Sequence, residues 1–524
     1  MPTEDPMRSL LVLLLCGAAS LAHAASNFTF SNARGAHGVG LRVVHQYDYS
    51  RAYKGDIDLV TGLPTQGERA RPIQTVIWYP ASKGGTPVVF NDYLRLSATE
   101  EVFGRSDAEI TAETAVWARS ITGLSDGELL QATTRPMWAV RDATPEAGRF
   151  PVVIYAPSFN ASSAENADLC EFLASQGYIV IASPDMGAHT RAMTDDVEGI
   201  ETQAADISFL IGYAHALPQA DTRRIAVMGF SWGGISNVFA AARDSRIKAL
   251  VNLDGSVRYF PNLVDAAGYV TPSRVAVPML YMAAQPLTLE QLIARGKASP
   301  NSVLNNLKYS DVYIVTMHPM VHPNFSSTYL RLMPADAFAD YSLEEVSLAY
   351  SWTARYVLQF LNAYLKNDAG GLAFLGNSGV KNGAPPHMIS VDARRSTGAP
   401  PTQATMAADL AKRGFEHAHE VYQALHQRDP KFELSEVQIN LWGYELLRKH
   451  KNPRAAIEIF KLNTLLHPES SNTFDSLAEA YEVNKDTELA IKAYQHVLTL
   501  EPTHANAARR LKVLGRTNGN GALK

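Results

Sequence analysis

The stretch Arg223-Arg224-Ile225-Ala226-Val227-Met228-Gly229-Phe230-Ser231-Trp232-Gly233-Gly234 decides the fold. Two charges precede an apolar run, Ile225 to Met228, which ends in Gly229-Phe230-Ser231-Trp232-Gly233, a G-x-S-x-G pattern. Beyond it, Ile235 to Ala242 reads as a helix rich in small residues. Strand, sharp turn and helix is the setting of a nucleophile elbow, in which a strained turn lifts a serine hydroxyl clear of a sheet. Glycines on either side of the serine let strand and helix approach, because a Cβ there would clash.

Outward from this turn, apolar runs alternate with helical patterns. Strands are predicted at 150–155, 177–182, 247–253, 277–282 and 311–316, with earlier ones at 41–44 and 75–79. Helices are predicted around Cys170, from Glu201 to Leu217 and from Tyr350 to Lys366. Alternation of this kind implies a parallel sheet with right-handed crossovers. Residues 91–147 read as helical and irregular, an insertion that is a candidate cap. The sheet-bearing domain is expected over residues 25–375, and a Gly-, Pro- and Ser-rich linker over 376–405.

From 406 to 524 the chain reads as nearly all helical, with a 34-residue period. Asn440, Gly443, Tyr444, Leu447, Ala456, Phe460 and Pro468 align with Phe474, Leu477, Ala478, Tyr481, Ala490, Tyr494 and Pro502. Period, small and aromatic positions and terminal proline match tetratricopeptide repeats. Residues 404–427 read as a degenerate helical partner and Ala505 to Leu514 as a capping helix.

The 524 residues are 46% hydrophobic and 19% charged, with a net charge of -5. That balance gives no support to a nucleic-acid partner or a polybasic membrane anchor. At the N-terminus, Arg8 precedes the apolar run Leu10 to Leu15 and a small-residue site ending at Ala24. This reads as a secretory signal over residues 1–24, so a periplasmic or secreted protein is expected. The run is too short for a stable membrane span. Cleavage removes Cys16 and leaves Cys170 alone, with no intramolecular disulfide. Neither H-E-x-x-H nor C-x-x-C occurs, so no metal or cofactor is expected.

Acyl transfer by serine needs a hydroxyl, a base to take its proton and an acid to hold the base. Ser231 ends one predicted strand, Asp254 ends the next, and His322 follows the last. In a parallel sheet these ends share the C-terminal edge, where such sites form. His318 is the rival base, but it lies so close to its strand that it has little reach. Asp185 follows an earlier strand and reads as a turn residue; His189 reads as a surface-loop histidine. The oxyanion requires two backbone N–H groups. Trp232, after the nucleophile, should supply one, and Phe159, in the loop after the strand ending at Tyr155, the other.

Residues 36–375 resemble the platelet-activating-factor acetylhydrolase and dienelactone-hydrolase-like branch of the α/β-hydrolases. The similarity rests on Gly229 to Gly234, on Leu253-Asp254, on Val321-His322-Pro323-Asn324-Phe325, on Leu173 to Tyr178 and on Ile77-Trp78-Tyr79-Pro80. It implies a serine esterase with Ser231, Asp254 and His322 as triad and the Phe159 loop as an oxyanion donor. Ser231 stands where dienelactone hydrolases proper carry cysteine. Pro157-Ser158 stands where a His-Gly pair is usual. The expected function is hydrolysis of a small ester or lipid-like substrate through an acyl-enzyme, with a protein or peptide partner at the repeats. The alternative is a catalytically idle scaffold acting through those repeats.

Overall fold

The computed structural model describes residues 28–286, 303–338 and 340–519. The proposed signal, residues 1–24, lies outside the described residues. Two compact units divide between Thr397 and Gly398.

The first unit is built on one sheet. Its strands are β1 (Gly38–Ala52), β2 (Ala70–Ala81), β3 (Pro87–Val89), β4 (Pro136–Arg141), β5 (Phe150–Ala156) and β6 (Ile179–Ala182). They continue with β7 (Ala220–Phe230), β8 (Ile247–Leu253), β9 (Met279–Ala283), β10 (Val312–Met317) and β11 (Ile389–Arg394). The spatial order is β11-β10-β9-β8-β7-β5-β6-β2-β1-β4-β3. The run from β10 to β6 is parallel throughout. Strand order reverses at β5, which has β6 on one side and β7 on the other. Such a reversal opens a crevice at the C-terminal edge.

The central strands are apolar on both faces because helices cover both. On β7, Ala226 and Met228 point into one apolar layer, while Ile225 and Val227 point into the other. Val153 and Tyr155 of β5 alternate with Val152 and Ile154 in the same way. The helices Ala167–Ser175 and Leu343–Leu365 close the first layer, and Val197–Ala214 and Trp232–Arg243 the second. Cys170 is a free, buried thiol in the first layer, and burial pushes its pKa up.

Two segments differ from their reading as sequence. The 91–147 insertion holds the expected helices Asp107–Ile121 and Asp126–Thr133, but it also supplies β4, parallel to β1. Only Met137 and Ala139 of β4 are buried, too short an alternation to stand out. The stretch 376–405 is not all linker: β11 pairs antiparallel with β10 along six residues. Ala384 and Met388 before it are buried in the core. The division therefore falls after β11 instead of before it.

The second unit is helical. Helices Gln403–Arg413 and Ala418–Arg428 are followed by Glu436–Tyr444, Pro453–Leu466, Ser471–Asn484, Thr487–Leu500 and Ala505–Gly519. The aligned positions Leu447, Ala456, Phe460, Leu477, Ala478, Tyr481, Ala490 and Tyr494 form one buried cluster. Gly443 faces Phe460, whose ring occupies the space a Cβ would need. Among the described residues no helix is long and apolar enough to cross a membrane.

Candidate active site

Ser231 directly follows β7 with φ 52° and ψ −112°. That conformation is strained for a residue with a side chain, and surrounding contacts must hold it. Its N–H donates to the Leu253 carbonyl at 3.1 Å, and its carbonyl accepts from Ser256 N–H at 2.7 Å. The elbow is thus pinned to the turn after β8. The flanking glycines do different jobs. A Cβ on Gly229 would overlap the Gly233 main chain, so it admits the helix start; one on Gly233 would overlap the Ala156 carbonyl of β5.

Asp254 directly follows β8 and is almost wholly buried, with φ 41°. Its Oδ1 accepts from Ala284 N–H at 3.2 Å and Tyr259 Oη–H at 3.3 Å. Its Oδ2 lies 2.7 Å from His322 Nδ1. His322 Nε2 lies 2.9 Å from Ser231 Oγ. A carboxylate only accepts, so Nδ1 carries the proton and Nε2 is left to accept from the serine hydroxyl. The His322 ring packs on Phe230, centroids 5.1 Å apart, in the short turn His322–Phe325.

The structure thus brings Ser231, Asp254 and His322 into one hydrogen-bonded chain. The other residues weighed as acid or base lie elsewhere. His318 Nε2 pairs with Ser390 Oγ on β11 at 2.7 Å, and His189 Nδ1 lies 3.3 Å from the Tyr53 carbonyl.

Phe159 follows β5 in a loop, and its ring meets Trp232 edge-on at 5.5 Å. Among the described residues neither the Phe159 nor the Trp232 main-chain N–H has a hydrogen-bond partner. The residues on either side of Phe159 are anchored. Ser158 donates its N–H to Glu165 Oε2 at 2.9 Å and its hydroxyl to Oε1 at 2.5 Å. Asn160, at φ 59°, donates its N–H to Asp185 Oδ2 at 2.9 Å. Arg191 reaches the Asp185 carbonyl, the Asn160 carbonyl and Glu100. Gln203 donates to the Pro157 carbonyl at 2.9 Å. Burial raises the carboxyl pKa of Glu165, opposed by the Ser158 hydrogen bonds and nearby His322. Burial also raises that of Asp185, opposed by Asn160 and Arg191. Asp185, Glu165, Arg191 and Gln203 were not legible as site residues. Asp185 is no ordinary turn residue: it is fully buried and holds a loop from the neighbouring strand.

A chlorophyllase family model matches residues 121–257, a span that includes Ser231 and Asp254 and stops short of His322. That span lies within the sheet of the first unit, whose mostly parallel strands with helices on both faces match an α/β-hydrolase. The chain is 29% identical over 142 residues to a bis(hydroxyethyl) terephthalate hydrolase of Streptomyces coelicolor, 27% of this chain and 41% of the relative. A relative from Methylorubrum extorquens, named for carboxymethylenebutenolidase activity, is 26% identical over 178 residues, 31% of this chain and 58% of its own length. The chain thus spans about half the length of these curated relatives. A solved ferulic acid esterase from Streptomyces cinnamoneus aligns at 19% identity with a TM-score of 0.47, over 65% of this chain and 93% of that one.

Proposed function

We propose that the first unit is a serine hydrolase that cleaves carboxylic esters through an acyl-enzyme intermediate. The observation that carries this reading is the hydrogen-bonded chain from Ser231 Oγ through His322 to Asp254. Ser231 Oγ attacks the ester carbonyl while His322 Nε2 takes its proton. Asp254 stabilises the imidazolium that forms. The N–H groups of Trp232 and Phe159 receive the developing oxyanion. His322 then returns the proton to the departing alcohol. Water, deprotonated by the same nitrogen, cleaves the acyl-enzyme and releases the acid. The two curated relatives named above carry names of ester-cleaving enzymes, in keeping with this chemistry.

In this reading residues 1–24 direct export, and the substrate is a small or lipid-like ester. The helices from 436 to 519 act as tetratricopeptide repeats that bind a partner peptide or mediate assembly. The test is labelling of the purified protein by a fluorophosphonate, with the modified residue mapped and Ser231→Ala as control. Labelling at Ser231 is expected. A folded protein that takes no label overturns the reading in favour of an idle scaffold working through its helices.

A further inference from the structure

A half-open cavity of about 220 Å³ lies between the helix Asp107–Ile121 of the insertion and the Phe159 loop. Its inner wall is Asn160, Ala161 and Glu165, residues of the loop that carries one proposed oxyanion donor. A second wall, Ser326 and Thr328, belongs to the segment that follows His322. These walls are tied together: Thr328 N–H donates to the Glu165 carbonyl at 3.1 Å, and Ser327 N–H to Asn166 Oδ1 at 2.9 Å. The chamber therefore sits where the loop that carries Phe159 meets the segment that follows His322, next in sequence to the proposed site residues, although Ser231 and His322 themselves do not line it.

Its remaining walls are mostly apolar, with Ser162 the polar exception. Tyr93, Trp117 and Tyr329 present rings, and Ile121 and Leu332 fill between them. Tyr93 is locked, donating to Glu171 at 2.6 Å and accepting from Trp78 Nε1 at 2.8 Å. Among the described residues no Lys, Arg or His lines the chamber, whereas Glu165 does. An anion placed there would give up part of its hydration, find no cation and lie beside a carboxyl group. An apolar cavity of about 150 Å³ accommodates benzene, so 220 Å³ has room for about nine non-hydrogen atoms, one ring with a two-carbon link.

We propose that this chamber is the site's specificity pocket and takes an uncharged, ring-sized substituent of the ester, excluding anionic ones of the same shape. This rests on the ester-cleaving reading above. Either the acyl or the alcohol side of the ester could supply that group, and two substrate series separate them.

The test measures kcat/KM of the full chain by titrating released acid. The acyl series is ethyl acetate, ethyl 3-phenylpropanoate, ethyl 4-methylpentanoate and its anionic isostere ethyl hydrogen succinate. The alcohol series is 2-phenylethyl acetate, 3-methylbutyl acetate and its anionic isostere 3-acetoxypropanoate. In one series the phenyl ester should exceed ethyl acetate by about tenfold or more, and the anion should fall about tenfold or more below its isostere. Ile121→Trp fills the chamber and should erase the phenyl advantage, lowering kcat/KM for the phenyl ester about tenfold more than for ethyl acetate. Trp117→Ala enlarges it and should extend the preference by one or two methylenes, which serves if Ile121→Trp does not fold. Equal rates for anion and isostere, no phenyl preference in either series, or equal loss of all esters in Ile121→Trp overturns the inference. Failure to cleave any ester overturns the underlying reading, and this inference with it.

Discussion

Asp185→Ala removes the group that accepts the Asn160 N–H at 2.9 Å. Asn160 follows Phe159 and holds a left-handed φ of 59°, a conformation that outside contacts must maintain. Three contacts do so: Asp185 on the N–H, Met193 N–H on the side-chain oxygen at 2.7 Å, and Arg191 on the carbonyl at 3.1 Å. One such hydrogen bond contributes about 1–3 kcal/mol, the upper part of that range applying if the acceptor is charged. Spent on holding the loop, that energy corresponds to a fall of about 5- to 150-fold in the fraction with Phe159 N–H in place. Outright loss of an oxyanion donor costs about 100- to 1000-fold in kcat, which sets the ceiling. We expect kcat for 4-nitrophenyl acetate to fall within that window and KM to change by less than about threefold, because the donor gains strength only as charge develops on the carbonyl oxygen. Asp185→Asn keeps an acceptor oxygen and should restore most of the rate. Thermal unfolding of the same samples separates a displaced loop from a damaged fold. A wild-type kcat in Asp185→Ala refutes the reasoning. So does an equal loss in both variants accompanied by a matching drop in Tm.

Three further outcomes are expected. Asp254→Asn leaves the His322 tautomer unspecified and should lower kcat about 10³- to 10⁴-fold by analogy with the serine-protease triad, with Tm nearly unchanged; steady-state kinetics and a melting curve check it. Glu171 is buried, and desolvation pushes its carboxyl up to about 7 despite hydrogen bonds from Tyr93 and the Trp138 and Ala139 N–H groups. Because the folded form keeps this proton after the unfolded form has lost it, the group's stabilisation is complete below about pH 4.5 and is lost as pH rises to about 7, a change of about 3 kcal/mol. Urea titrations should show the wild type losing stability over that window relative to Glu171→Gln; a pH-independent difference between the two would sink the assignment. Gly443→Ala drives a methyl into the Phe460 ring and should destabilise the second unit by about 1–3 kcal/mol. Its unfolding in a fragment-resolved assay such as hydrogen exchange should shift while the first unit's does not.

The sheet and the proposed triad were legible for one reason. Each member follows an apolar run, and alternation with helices forces those runs to be parallel, so their ends must share an edge. The choice between two histidines four residues apart followed from reach. His318 comes directly after β10, which ends at Met317. It is held in register by the edge strand, its N–H on the Met388 carbonyl and its ring on Ser390. His322 lies beyond a turn and can swing back to Ser231. The edge strand itself was not legible. Ile389, Val391 and Ala393 do alternate with polar residues, but one face of β11 is open to water and the surrounding composition reads as linker. A strand that buries little carries little pattern.

The anchored loop around Phe159 was illegible for a different reason. Its proposed work is done by a main-chain N–H, and a main-chain group leaves no mark on the identity of its own residue. The mark falls on whatever fixes the backbone. Here that means Glu165 within the loop's own return, Asp185 three residues beyond β6, Arg191 six residues later and Gln203 on the following helix. Each is a polar side chain, and Asp185, Glu165 and Gln203 are buried at a desolvation cost. No local pattern distinguishes such a residue from a turn aspartate or a surface glutamine. What does distinguish them is the conjunction that only the fold supplies: a buried carboxyl, an N–H one residue from a proposed donor, and two adjacent parallel strands whose ends bring them together.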